Sequence, residues 1–170
     1  MSDDHLVLVG LSGSGKSTLA PLLMNRTGRS VSVDLDRVIE ERAGRTVAEI
    51  FDDEGETGFR LLESQALAEA LAGPPAVIAT GGGVVLEVQN REMLRHGATV
   101  IWLRAHPSHL AERLADTSEA RPLLDGDAEF ALARMASERE ALYAEVADLT
   151  VEVEGTDPRT VAEELAARLA

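Results

Sequence analysis

An apolar run, Leu6-Val7-Leu8-Val9, leads directly into Gly10-Leu11-Ser12-Gly13-Ser14-Gly15-Lys16-Ser17, a full match to the phosphate-loop pattern G-x-x-x-x-G-K-S/T. The stretch from Ser17 to Met24 then reads as helix, so a strand must deliver the loop to a helix N-terminus. Successive backbone N–H groups have to converge on a polyphosphate, and side chains at positions 10, 13 and 15 would block that approach. The helix start adds unsatisfied N–H donors and a partial positive charge. Lys16, the only lysine among 16 lysines and arginines, supplies a compact cation for the outer phosphates. Ser17 offers a hydroxyl to Mg²⁺, and Gly13, Ser14, Gly15, Lys16, Ser17 and Thr18 together form the expected nucleotide cradle.

With 170 residues the chain has enough length for one well-buried core and too little for two ordinary domains, so one domain over 1–170 is expected. A net charge of −14 argues against nucleic acid as the main partner, because phosphate-backbone binding needs a basic face. The positive charge that an anion site needs must therefore be local. Cysteine is absent, which removes disulfides and thiolate metal sites. No apolar run approaches the ~18 residues of a membrane span, and residues 1–5 lack a signal-peptide pattern. A cytoplasmic monomer without membrane or nucleic-acid partners is the expectation.

Apolar, β-compatible runs recur near 5–9, 30–33, 76–79, 98–103 and 149–153, separated by segments with helical periodicity or caps. Thr46 and Glu49 form a capping box, Gly73-Pro74 stops a helical segment from about 56, and Pro107 suits a first helical turn. This alternation predicts a parallel sheet with helices on both faces and ligands at the carboxyl ends of the strands. The polar stretch Ala115 to Asp127, with Pro122 and Gly126, reads as a mobile loop.

Charged and glycine-rich positions outside the phosphate loop fall where that layout expects a site. Asp34 and Asp36 follow the second run: one carboxylate could serve the magnesium shell and the other a substrate hydroxyl, or Asp36 could simply cap the next helix. At 100° per residue, Phe59, Leu62, Ala66, Leu67, Ala70 and Leu71 form one stripe, and Arg60 and Glu63 fall inside it. These two are either an internal salt bridge or a substrate-facing guanidinium held by its neighbour. Arg139 lies at the middle of the stripe Leu132, Met135, Leu142, Tyr143 and Val146, with no acid on its inward line, which favours an anion ligand over a buried partner from another element. Gly81-Gly82-Gly83 after the third run points to close approach of backbone to a ligand, with a tight turn as the alternative. Arg121, in Arg121-Pro122-Leu123-Leu124, is a candidate lid arginine.

In this order and spacing, over almost the whole chain, these pieces resemble shikimate kinases: the phosphate loop, Asp34 and Asp36, Gly44-Arg45 ahead of Ile50-Phe51, Phe59-Arg60, Gly81 to Gly83, Arg121 to Leu124, and Arg139 before Leu142-Tyr143. The resemblance implies a three-layer α/β P-loop fold with a five-stranded parallel sheet in order 2-3-1-4-5, an acceptor-binding region near 34–63 and a lid near 112–124. It implies ATP-dependent phosphorylation of shikimate with Mg²⁺, toward chorismate and the aromatic amino acids. Asp36 would bind and activate the accepting hydroxyl, with Lys16 and Arg121 acting on the transferring phosphoryl group. Asp34 and Ser17 would serve the metal. Arg60, Arg139 and Gly81 to Gly83 would hold the acceptor, and Glu63 would orient Arg60. At the adenine side Leu114 stands where the family often has an arginine, so Arg113 is the candidate there, together with Asp157. Gly58 replaces a residue that is often polar or acidic and is expected to loosen that helix start. A kinase of the same fold for gluconate or another small hydroxy acid is the alternative. A guanine-nucleotide switch is disfavoured, since Asn25 and Asn90 are each followed by arginine and no N-K-x-D base reader exists.

Overall fold

The computed structural model describes residues 4–116 and 127–170. In chain order its elements are β1 (His5–Val9), α1 (Lys16–Thr27), β2 (Val31–Asp34), α2 (Leu35–Ala43), α3 (Val47–Ala72) and β3 (Ala76–Ala79). A 3-10 turn (Val84–Leu86) and α4 (Val88–Gly97) come next, then β4 (Ala98–Arg104), α5 (Pro107–Ala115), α6 (Ala128–Val146), β5 (Leu149–Glu152) and α7 (Pro158–Leu169). The strands pair in parallel in the order β2-β3-β1-β4-β5, as expected.

Burial explains the composition of each strand. β1 is central, with Val7 opposite Ile78 on one side and Val100 on the other, and helices cover both faces. Such a strand reads as a continuous apolar run rather than an alternating one. β5 lies at an edge and alternates, with Val151 buried while Thr150 and Glu152 are exposed. His5 breaks the apolar run of β1 yet is buried, because both ring nitrogens have backbone partners. Nδ1 accepts from the N–H of Ala76 at 3.2 Å, which leaves Nε2 protonated to donate to the carbonyl of Leu71 at 3.1 Å. One side chain thus ties the start of β1 to the end of α3 and the start of β3.

The capping box of α3 forms: Thr46 Oγ1 accepts from the N–H of Glu49 at 3.2 Å, and Glu49 Oε2 accepts from that of Thr46 at 2.7 Å. Pro107 occupies the first turn of α5, and α3 stops before Gly73. The helix expected from about 56 starts earlier. It runs from Val47 to Ala72 through a single break at Gly55, where φ is 69° and ψ is −178°, a combination that belongs to glycine. The break folds Phe51 against Phe59, with ring centroids 4.8 Å apart, and brings Glu54 over Gly58. A Cβ at position 58 would stand 2.5 Å from Cβ of Glu54, so Gly58 gives room to the kink. Among the described residues no helix is long and apolar enough to cross a membrane.

No atom lies within 4 Å of a Cβ built on Gly55, so Gly55→Ala tests backbone strain without a clash. Urea unfolding should show a loss of about 1–3 kcal/mol. An unchanged midpoint would mean that the kink is held by its flanking contacts alone.

Candidate active site

A cleft of about 870 Å³ opens at the carboxyl ends of β1, β2 and β3. The phosphate loop forms one wall. Gly15, at φ 92°, caps α1, and no side-chain cap or first-turn acid competes for the N–H donors of that helix. These are the properties of an anion-binding helix start. Lys16 is buried, and its ammonium donates to the carbonyls of Gly10 at 2.6 Å and Leu11 at 2.9 Å. At Gly10 a Cβ would come within 2.5 Å of the Leu103 carbonyl, so its glycine lets β4 close on the loop. The guanidinium of Arg113 comes within 3.4 Å of where a Cβ of Gly15 would stand, while Leu114 packs against Gly13.

β2 delivers the two aspartates. Asp34, not Asp36, caps α2: its Oδ1 accepts from the N–H groups of Asp36 at 3.1 Å and Arg37 at 3.4 Å. The cap sits one residue before the helix, where the chain is still extended, which leaves Asp36 in the first turn. The carboxylate of Asp36 lines the cleft and reaches toward Gly81. Asp34 and Ser17 line the same cleft. A hydroxyl and a carboxylate beside a phosphate loop are hard oxygen donors of the kind Mg²⁺ takes when phosphate oxygens and water complete its shell. Among the described residues no cluster of three or more His, Cys, Asp or Glu could hold a metal by itself, so the donor set fits a shared ion better than a protein cage.

For Arg60 and Glu63 the internal salt bridge forms, and both residues also line the cleft. Glu63 is fully buried and Arg60 nearly so, at 7% exposure; they pair at 2.7 Å, and Arg60 also reaches Glu56 at 3.2 Å. Burial pushes the Glu63 carboxyl above the usual range, with Arg60 opposing the shift. Burial also works against the charge of Arg60, but Glu63 and Glu56 more than offset it and hold the guanidinium above its ordinary value. A guanidinium has five donors, so this pairing still leaves it able to serve the cleft that it lines.

Arg139 projects from α6 into the same cleft at 5% exposure. Among the described residues no carboxylate lies within ion-pair distance of it, and its buried Nε has no hydrogen-bond partner. A buried cation in this condition is arranged for an anion. Tyr143, one turn further along α6, donates to the carbonyl of Gly82. The sequence reading placed Tyr143 only on the apolar stripe; its i+4 spacing from Arg139 was the signal available.

The three glycines have a spatial reason. None has positive φ, so backbone conformation does not demand them. A Cβ on Gly81 would stand 2.7 Å from Oε2 of Glu63 and 3.3 Å from Oδ1 of Asp36. On Gly82 it would lie 3.4 Å from the N of Ser12 in the phosphate loop and 3.6 Å from Arg139, and on Gly83 it would overlap the Arg60 guanidinium. The expected close approach to a ligand is thus first a close approach of the protein's own charged groups. Arg121 and most of the lid lie outside the described residues. Asp157 is not among the residues lining the cleft; its carboxylate caps α7, accepting from the N–H of Arg159 at 2.8 Å.

The model of the shikimate kinase family matches residues 12–170. A shikimate kinase of Gloeobacter violaceus is 48% identical over 170 residues, covering 97% of this chain and 94% of that one. One from Symbiobacterium thermophilum is 48% identical over 149 residues, 86% of this chain and 85% of its own. Among solved structures, shikimate kinase from Acinetobacter baumannii in complex with shikimate superposes with a TM-score of 0.93 at 34% identity, covering 98% and 92% of the two chains. A gluconokinase from Sinorhizobium meliloti shares the fold at 22% identity, with a TM-score of 0.62 and coverage of 99% and 94%.

Because burial raises the folded-state value of Glu63, its titration favours the folded protein at low pH, and this contribution is lost as pH rises through the raised value. The neutral variant Glu63→Gln lacks that term. Urea unfolding from about pH 4 to about pH 8 should therefore show the variant gaining stability relative to the parent as pH rises. A gain for the parent would mean that Arg60 outweighs desolvation and holds the carboxylate below its ordinary value.

Proposed function

The chain belongs to the shikimate kinase family, and from that premise we propose that it transfers the γ-phosphoryl group of ATP to the 3-hydroxyl of shikimate, giving shikimate 3-phosphate and ADP. The observation that carries the choice of acceptor is the pair of buried guanidiniums, Arg60 against Gly83 and Arg139 against Gly82, in the cleft that the phosphate loop also lines. Two planar donor forks suit one planar carboxylate, and a carboxylate bound there leaves the ring hydroxyls to Asp36 and the glycine turn.

Each residue then has a definite task. The N–H groups of Gly13, Ser14, Gly15, Lys16, Ser17 and Thr18 bind the nucleotide phosphates, and the Lys16 ammonium exchanges loop carbonyls for the outer phosphates. Asp36 orients the 3-hydroxyl and takes its proton as the oxygen bonds to the γ-phosphorus and the bond to the ADP oxygen breaks. Glu63 holds Arg60 in place while Arg60 and Arg139 fix the acceptor. Arg121 is assigned to the transferring group from a lid near 112–124, and the region near 34–63 to the acceptor. Arg113 and Asp157 are assigned to the nucleotide's base side. Mg²⁺, held by Ser17 and Asp34 with phosphate oxygens, would neutralise charge on the phosphates. The whole works as one kinase domain, read as a cytoplasmic monomer that takes ATP and shikimate.

A coupled ADP-release assay with ATP, Mg²⁺ and a panel of shikimate, gluconate and nucleoside monophosphates tests the assignment. Shikimate should turn over well and the others only at background. Robust turnover of another acceptor with none of shikimate would overturn it.

A further inference from the structure

The carbonyls of Val84, Val85 and Leu86, the 3-10 turn that follows the three glycines, are all taken by two adjacent side chains of α4. Asn90 Nδ2 donates to Val84 at 3.0 Å, and Nη1 of Arg91 donates to Val85 at 2.8 Å and to Leu86 at 3.3 Å. The 3-10 turn in its own right holds the glycines. The N–H of Val84 donates to the carbonyl of Gly81 at 3.2 Å, and that of Leu86 to the carbonyl of Gly83 at 3.0 Å. Behind Arg91 stands Glu145 of α6, 3.3 Å from its Nε, and Glu145 also pairs with Arg95 at 3.1 Å. Asn90, Arg91 and Glu145 are not among the residues lining the cleft. A cation near the start of a helix works against the helix dipole, so Arg91 is placed for its contacts outside α4 rather than for the helix itself.

From this geometry we infer that Arg91 is a positioning residue for the acceptor, fixing the glycine turn from outside the cleft at the place where the two buried guanidiniums rest on it. The inference rests on the reading of Arg60 and Arg139 as ligands of the acceptor carboxylate. A Cβ on Gly83 would overlap the Arg60 guanidinium, and one on Gly82 would lie 3.6 Å from Nη1 of Arg139, so any shift of the turn moves the surface against which both cations are set. Glu145 belongs to the helix that carries Arg139, so its ion pair with Arg91 also registers that helix against the turn. A guanidinium suits the task because its planar fork meets two neighbouring carbonyls at one nitrogen and a carboxylate at another, in a geometry that a flexible ammonium does not fix. Asn90, wholly buried, adds the third carbonyl and keeps the turn partly held when Arg91 is changed. The bonds of Arg91 run to the 3-10 turn and to α6 and not to the phosphate loop, so its influence falls on the acceptor before the nucleotide.

The test compares Arg91→Met, Glu145→Gln and Arg139→Ala, with shikimate and ATP dissociation constants from calorimetry, urea unfolding, and amide spectra of protein labelled with nitrogen-15 glycine. Arg91→Met keeps an apolar stem and removes every donor, and should weaken shikimate about five- to tenfold while ATP stays within about twofold. Glu145→Gln keeps both carbonyl bonds and removes only the charge behind them. It should weaken shikimate about two- to threefold, and it tests the inference even if Arg91→Met does not fold. In both variants the amide signals of Gly81, Gly82 and Gly83 should move while those of Gly28 and Gly155 stay. Equal losses for both ligands, a loss of stability with shikimate affinity unchanged, or unmoved signals from the glycine turn would overturn the inference. Arg139→Ala separates the two levels. If it weakens shikimate while the changes at Arg91 and Glu145 do not, only the role of Arg91 fails; if it leaves shikimate untouched, the carboxylate reading fails as well.

Discussion

Two guanidinium groups buried beside a glycine turn are the constraint around which the cleft beyond the phosphate loop is organised. A charge taken out of water must be paired or must be waiting for a partner, and the two arginines divide these cases. Arg60 carries its counter-ion with it in Glu63, three residues along the same helix. Arg139 has no carboxylate within ion-pair distance among the described residues, and its buried Nε has no hydrogen-bond partner. Replacing a buried ion pair by apolar side chains is often neutral or stabilising, so the Arg60–Glu63 pair is weak as an explanation of stability. It is better understood as a way to keep one guanidinium rigid inside the cleft while the other stays uncompensated.

The glycine turn joins the two halves of the site. Gly83 meets Arg60, Gly81 meets Glu63 and Asp36, and Gly82 lies between the phosphate loop and Arg139. Three small residues therefore let Arg60, Arg139, Glu63, Asp36 and the phosphate loop converge within a span of three Cα positions. The acidic surface of the protein does not disturb this arrangement, because the cations that matter, Lys16, Arg60 and Arg139, are all buried.

Local signals were legible in the sequence where the chemistry is local. The phosphate loop, the capping box at Thr46, Pro107 at the start of α5 and the apolar runs of β1 and β3 each follow from neighbouring residues, and all stand in the structure. Strand order came through the resemblance, since pairing of distant segments leaves no mark in a single run. The charged interruptions at Arg60, Glu63 and Arg139 were visible as breaks in helical stripes, and the pairing of Arg60 with Glu63 could be read from their spacing as one of two alternatives, whereas the surroundings of Arg139 could not. Whether Arg60 was bridged or substrate-facing could not be read from periodicity; the structure shows the bridge to Glu63, made by a side chain that also lines the cleft. Gly55 was missed because a helix break depends on a single φ that nothing in its flanking residues announces. A capping role for Asp36 stayed open as the alternative to a site role, and the cap falls on Asp34 because either aspartate satisfies the spacing rule. The purpose of Gly81 to Gly83 was half legible: scarcity of side chains indicated a close approach, and only the fold reveals which groups approach.

The central claim is that the acceptor is recognised by its carboxylate at Arg60 and Arg139. Comparing shikimate with its methyl ester in the same ADP-release assay tests this by changing the ligand and leaving the protein intact. The ester should lose about a hundredfold in kcat/KM, because two guanidiniums are left with a neutral partner in a buried site. An ester turned over as efficiently as the acid would contradict the claim and leave the two buried arginines without a role in recognising the acceptor.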